Sequence, residues 1–143
     1  MASGILLAAR VTLPGGLDAS DYDRKVVMKG LRQAATAIRS QSRQLLNRRG
    51  AASKEGDFPA RQTGAMVRAV KVHAAKKREK FWTRVQIDSI KDASFWYPAP
   101  LMCGSKRGLK PRRDAIWQAG QQLESRTTAT VEGALRRALK GWF

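Results

Sequence analysis

The stretch from Val26 to Leu46 limits the fold more than any other part of the chain. Val26/Val27, Leu31, Ala34/Ala35, Ile38, Ser42 and Leu45/Leu46 recur at helical spacing, and Arg24, Lys25, Arg32, Arg39 and Arg43 fall on the opposite side. An apolar stripe of this kind has to be covered by a second layer. Ser20 suits an N-cap, Asp21 and Asp23 favour the first turn through the helix dipole, and Gly50 is a natural stop. One long amphipathic helix is therefore expected over about 21–49.

The flanking segments read as the covering layer. Ile5, Leu7, Ala9, Val11 and Leu13 alternate with polar positions, which predicts a strand over about 4–13, closed by Pro14-Gly15-Gly16. Residues 50–64 are small, polar and turn-rich and read as a loop. Strands are expected within 65–102. Met66, Val70 and Val72 share one face of the first, and Phe81, Thr83, Val85 and Ile87 share one face of the second. The linker AAKKREK between them reads as a mobile tip. The aromatic run SFWYPAPLMCG contains Pro98 and Pro100, which confine it to an edge. A basic loop over 104–110 leads into a last helix over about 111–140, with Pro111 in its first turn and a bend or break expected near Thr128–Gly133. The expected fold is a single α+β domain, 1–143, with a small antiparallel β-sheet packed against a long N-terminal helix and a C-terminal helix.

Charge is the second constraint. The 143 residues hold 28 Lys and Arg against 11 Asp and Glu, a formal net charge of +17. Half of the basic residues crowd into 61–113, which carries 14 basic and three acidic groups. A chain charged this heavily repels itself and calls for a polyanionic partner. Two clusters stand out: Lys76, Lys77, Arg78 and Lys80 at the hairpin tip, and Lys106, Arg107, Lys110, Arg112 and Arg113 before the last helix. Both would neutralise phosphates, and Phe81 and Trp82 beside the first offer rings for stacking on exposed bases. A solvated tip is the plainer alternative for either cluster alone. No helix-turn-helix, zinc-finger or RNA-recognition signature accompanies them, so the expected contact is phosphate-directed and salt-sensitive.

Catalytic chemistry finds little support. His73 is the only histidine and sits in an expected strand, while Cys103 is the only cysteine. Each reads as an ordinary packing or loop residue. No metal-ligand spacing, Walker loop or GxGxxG motif occurs, so no cofactor or metal is expected. A single cysteine fits a reducing compartment. The N-terminal stretch is too weakly apolar for a secretory signal, no run approaches a membrane span, and the basic helix lacks interfacial anchors. The expectation is a non-enzymatic protein made in a cytoplasm, with no membrane contact.

The motifs, each weak alone, follow in a set order. The long helix is followed by Pro59, Thr63-Gly64 and Met66 at a turn into a strand. Later come Tyr97, Gly104-Ser105 and the basic Lys110-Pro111-Arg112 before the final helix. This series, over roughly residues 20–140, resembles the tail-completion or head–tail joining (neck) proteins of long-tailed phages, the family that includes lambda minor tail protein Z. The chain departs from that pattern at Met102-Cys103, where the family often has an acidic residue, and at Arg112-Arg113-Asp114, where the family has Pro-Phe-Leu. The resemblance implies a structural virion protein assembled in the host cytoplasm. It would form a homo-oligomeric ring at the neck or upper tail, beside connector, tail-terminator or tail-tube proteins. DNA would pass through the lumen under non-specific phosphate contact. The basic clusters would face that lumen or an acidic neighbour. Trp96, Tyr97, Trp142 and Phe143 are large residues suited to subunit interfaces. From composition alone, a stand-alone basic cytoplasmic nucleic-acid-binding protein is the alternative.

Overall fold

The computed structural model describes residues 4–8, 22–48, 54, 56–58, 64–77, 80–88 and 113–139. The elements run β1 (Gly4–Ala8), α1 (Arg24–Leu46), α2 (Ala65–Ala69), β2 (Val70–Ala74), β3 (Trp82–Ile87), α3 (Ala115–Gln122) and α4 (Glu124–Ala138). The architecture is α+β. A three-stranded antiparallel sheet of order β1-β3-β2 carries α1 and α3, and α4 packs along α1. In register, Ile5 stands opposite Val85 and Leu7 opposite Thr83, while Val70 and Val72 oppose Ile87 and Val85.

The expected stripe is the buried face of α1: Val27, Leu31, Ala34, Ala35, Ile38, Ser42 and Leu46 are all buried, joined by Met28 and Gly30. Ser42 avoids an unmet hydroxyl by donating to the Ile38 carbonyl at 2.7 Å. The cap is Asp23, not Ser20. The Asp23 carboxylate accepts from the Lys25 amide at 2.9 Å, and its own amide donates to the Ala138 carbonyl at 2.7 Å. The start of α1 is thereby fixed to the end of α4, a tertiary tie that sequence spacing does not reveal.

Two further expectations need correction. Met66 lies in a short helix, not in a strand. Gly64 adopts a left-handed φ of 76°, which an L side chain rarely takes, and its carbonyl accepts the Arg68 amide at 3.1 Å. Met66 and Ala69, three residues apart, then reach the same core as Val70, so helical and strand spacing gave the same apolar pattern. The break in the last helical stretch falls at Leu123, not near Thr128–Gly133. α4 runs unbroken through Thr128–Gly133, and the Thr127 and Thr130 hydroxyls are satisfied by donating back to the Leu123 and Arg126 carbonyls at 2.9 and 2.8 Å. The turn at Leu123 lets the two helices serve different clusters. Ala115, Ile116 and Ala119 pack with Ile38, Leu46, Val70 and Ile87, whereas Val131, Leu135 and Ala138 pack with Val27, Met28 and Leu31. α3 starts at Ala115 because Asp114 caps it, accepting from the Ile116 and Trp117 amides at 2.9 and 3.2 Å.

The α1–α4 contact is made of small residues. A methyl group built on Gly30 would overlap the Ala134 side chain, so only glycine allows this approach. The open side of β2 is also managed. Hydrogen bonds from Asp88 N to Ala69 O and from Ala75 N to Trp82 O bracket the β2–β3 ladder, which turns the Val70 carbonyl off the edge. Arg43 caps that carbonyl at 2.8 Å. Burial, and then the like charge of Arg39, lower the Arg43 guanidinium from its ordinary value, though a guanidinium remains protonated. The strand expected at 95–102 and the basic loop at 104–110 lie outside the described residues.

Candidate nucleic-acid interface

The β2–β3 hairpin has one core face and one solvent face. Thr83, Val85 and Ile87 of β3 and Val70 of β2 are buried, and Thr83 Oγ1 donates to the Leu31 carbonyl at 3.3 Å. The alternate positions Lys71, His73 and Arg84 are exposed. Arg84 lies directly across from His73, and Lys71 from Gln86. Among the described hairpin residues, Lys71, Lys76, Lys77, Lys80 and Arg84 outnumber one carboxylate, Asp88.

Asp88 is heavily engaged. It accepts from Gln86 Nε2 at 2.9 Å, lies 2.8 Å from His73 Nε2 and 3.9 Å from Lys71 Nζ. Burial works against its charged form. The hydrogen bonds from Gln86 and His73, aided by the charges of His73 and Lys71, outweigh burial and hold the carboxyl below its usual range. His73 is thus a strand-surface residue tied to a carboxylate.

The tip is anchored to α1. Arg24 donates from Nη1 to the Lys80 carbonyl at 2.6 Å and from Nη2 to the Ala75 carbonyl at 3.2 Å, and its guanidinium sits 5.4 Å from the Phe81 ring centroid. The backbone closes between Lys80 N and Lys77 O at 3.2 Å. The two described ends of the tip, Ala75 and Lys80, are therefore tied to the helix, while Arg78 and Glu79 lie outside the described residues. The rings are also committed elsewhere. Phe81 and Trp82 pack against the Val27–Leu31 cluster, and Arg84 covers Trp82 at 5.6 Å. Neither is placed as the free stacking platform that their position in the sequence suggested.

Of the expected contact residues, Lys76, Lys77 and Lys80 are exposed together at this tip. Arg113 is elsewhere. Its amide donates to the Asp57 carbonyl at 2.9 Å and its guanidinium lies 5.3 Å from the Phe58 ring, so it ties the 56–58 turn to the start of α3. Arg78, Lys106, Arg107, Lys110 and Arg112, with Trp96, Tyr97, Trp142 and Phe143, lie outside the described residues. Sequence reading missed Lys71, Arg84 and Arg24. The first two follow from the same period-two alternation that identified the core face. Trp117, 60% exposed on α3, was also missed as a surface aromatic.

Two clefts remain. One of about 220 Å³ is lined by Arg43, Gln44, Asn47, Gly64, Val67 and Arg68. Another of about 330 Å³ runs between α1 and α4, where Gln33 faces Arg126 and Thr130. Among the described residues, neither lining contains a His, Cys, Asp or Glu, and no metal-holding cluster occurs. No described helix is long and apolar enough to cross a membrane. The chain matches no protein-family model, no curated protein and no solved structure.

Proposed function

We propose that this protein is a structural component of a long-tailed phage virion, forming a ring at the neck or upper tail that completes the tail and joins it to the DNA-filled head. The observation that carries this reading is the motif series Pro59, Thr63-Gly64, Met66, Tyr97, Gly104-Ser105 and Lys110-Pro111-Arg112, spread in order over an α+β chain. The left-handed Gly64 supplies a physical reason for the glycine of the first motif, because it turns the chain into α2 and directly on into β2. In a ring of identical subunits, head-to-tail interfaces close by rotation, and each subunit repeats its positive hairpin around the axis. Such a collar holds any genome by its phosphates without reading sequence, which passage of DNA requires.

Antibody labelling of purified virions of the phage whose genome carries this gene tests the placement. Label at the head–tail junction is the expected result. Virions free of the protein would contradict it and favour a stand-alone nucleic-acid-binding role.

A further inference from the structure

We infer that the solvent face of the β2–β3 sheet, centred on Lys71 and Arg84 and continuous with Lys76, Lys77 and Lys80, is a docking surface for duplex DNA. The biological setting rests on the neck reading above, but the surface is defined by its own chemistry. Three observations point to duplex phosphates.

The first is charge. These five cations face a single described carboxylate, and the Lys71 side chain is 59% exposed. Asp88 offsets part of the charge at Lys71, 3.9 Å away, but its contacts with Lys71, Gln86 and His73 all lie at the far end of the hairpin from the lysine tip. The second is the polar character of the β2 and β3 positions described on this face. Lys71, His73, Arg84 and Gln86 are all polar; Leu6 of β1 stands across from Arg84, and the half-buried Trp82 shares the face beneath the Arg84 guanidinium. Protein partners gain most of their affinity from a desolvated apolar or aromatic centre, and here the one described ring already carries a cation. Phosphate binding draws its free energy from released counterions and needs no such centre. The third is the fate of the rings. A single strand is held by bases stacking on exposed aromatics, but Phe81 and Trp82 are half-buried against the Val27–Leu31 cluster and each already has a guanidinium over its ring, at 5.4 and 5.6 Å. Arg24 holds the Ala75 and Lys80 carbonyls at the two described ends of the tip, which places Lys76 and Lys80 beside the start of α1.

The test is fluorescence anisotropy of the whole protein with a labelled 25-base-pair duplex across a salt series. The wild-type chain is compared with Lys71→Gln/Arg84→Gln and with Arg136→Gln/Arg137→Gln, an equal charge change on exposed residues of α4. The expected result is a roughly tenfold or greater affinity loss for the sheet variant, with the log–log salt slope falling by about 2. The α4 variant should stay within about twofold at an unchanged slope. Equal losses in both variants would overturn the assignment, since net charge alone would then explain binding. Tighter binding of a single strand of the same length would overturn it too, as would equal competition by polyglutamate, which would indicate an acidic protein partner. If Arg84→Gln unfolds the chain, Lys71→Gln/Lys77→Gln makes the same charge change and is expected to give the same loss. Duplex binding by a protein absent from virions would sustain this surface while defeating the neck reading.

Discussion

Replacing Gly30 with leucine is expected to destabilise the protein by about 3 kcal/mol or more, lowering the melting temperature by roughly 10 °C. Gly30 is buried in the middle of α1, and even a methyl group there would overlap Ala134 on α4. The obstruction is another short side chain on a packed helix, so it cannot swing aside. Gly30→Ala separates two opposing effects. Helix propensity favours alanine by about 1 kcal/mol, while overpacking costs about 1–3 kcal/mol. A net loss is expected, and Ala134→Gly in the same chain should recover part of it, with a coupling near 1 kcal/mol. Thermal unfolding followed by circular dichroism reads all three variants. A Gly30→Ala protein more stable than wild type would show that α1 and α4 do not approach as described.

The second large effect contrasts two adjacent residues. Ile116→Ala should cost about 2–5 kcal/mol, because Ile116 is fully buried where α3 meets α1 and the sheet. Trp117→Ala should stay within about 0.5 kcal/mol, because Trp117 is 60% exposed. On hydrophobicity alone the tryptophan would be expected to matter more. Urea unfolding midpoints at unchanged m-value provide the measurement. A larger loss for Trp117→Ala would place the wrong face of α3 against the core.

What sequence could and could not show follows from the range of each interaction. The α1 stripe was legible because nine buried positions on one helix impose a 3.6-residue repeat that no other element mimics. The hairpin faces were legible for the same reason, with a period of two. Met66 was misplaced because a single helical turn running into a strand leaves the same spacing of apolar residues as a longer strand. The cap at Asp23 was missed among Ser20, Asp21 and Asp23, since the choice depends on the Ala138 carbonyl, 115 residues further on. The break at Leu123 has no proline to mark it, and Gly120, three residues earlier, sits at helical spacing with the apolar positions; the two helices on either side of the break fill separate clusters.

The candidate interface was legible as charge and not as geometry. Lys76, Lys77 and Lys80 announced themselves as a run, whereas Lys71 and Arg84 are scattered in sequence and meet only through the register that places Arg84 beside His73. Arg24 looked like one more cation on the polar side of a helix. Its role depends on the Ala75 and Lys80 carbonyls, which folding brings to it. The aromatic pair misled in the opposite direction. Proximity to lysines suggested base stacking, but an arginine can occupy a ring face as well as a base can.

The most direct test of the neck assignment is loss of the gene product during infection. A stop codon early in the gene is introduced into the phage genome, and the lysate is viewed by electron microscopy. The account predicts DNA-filled heads beside separate or defective tails, with joining restored when purified protein is added. Intact, infectious virions from the stop-codon mutant would contradict it.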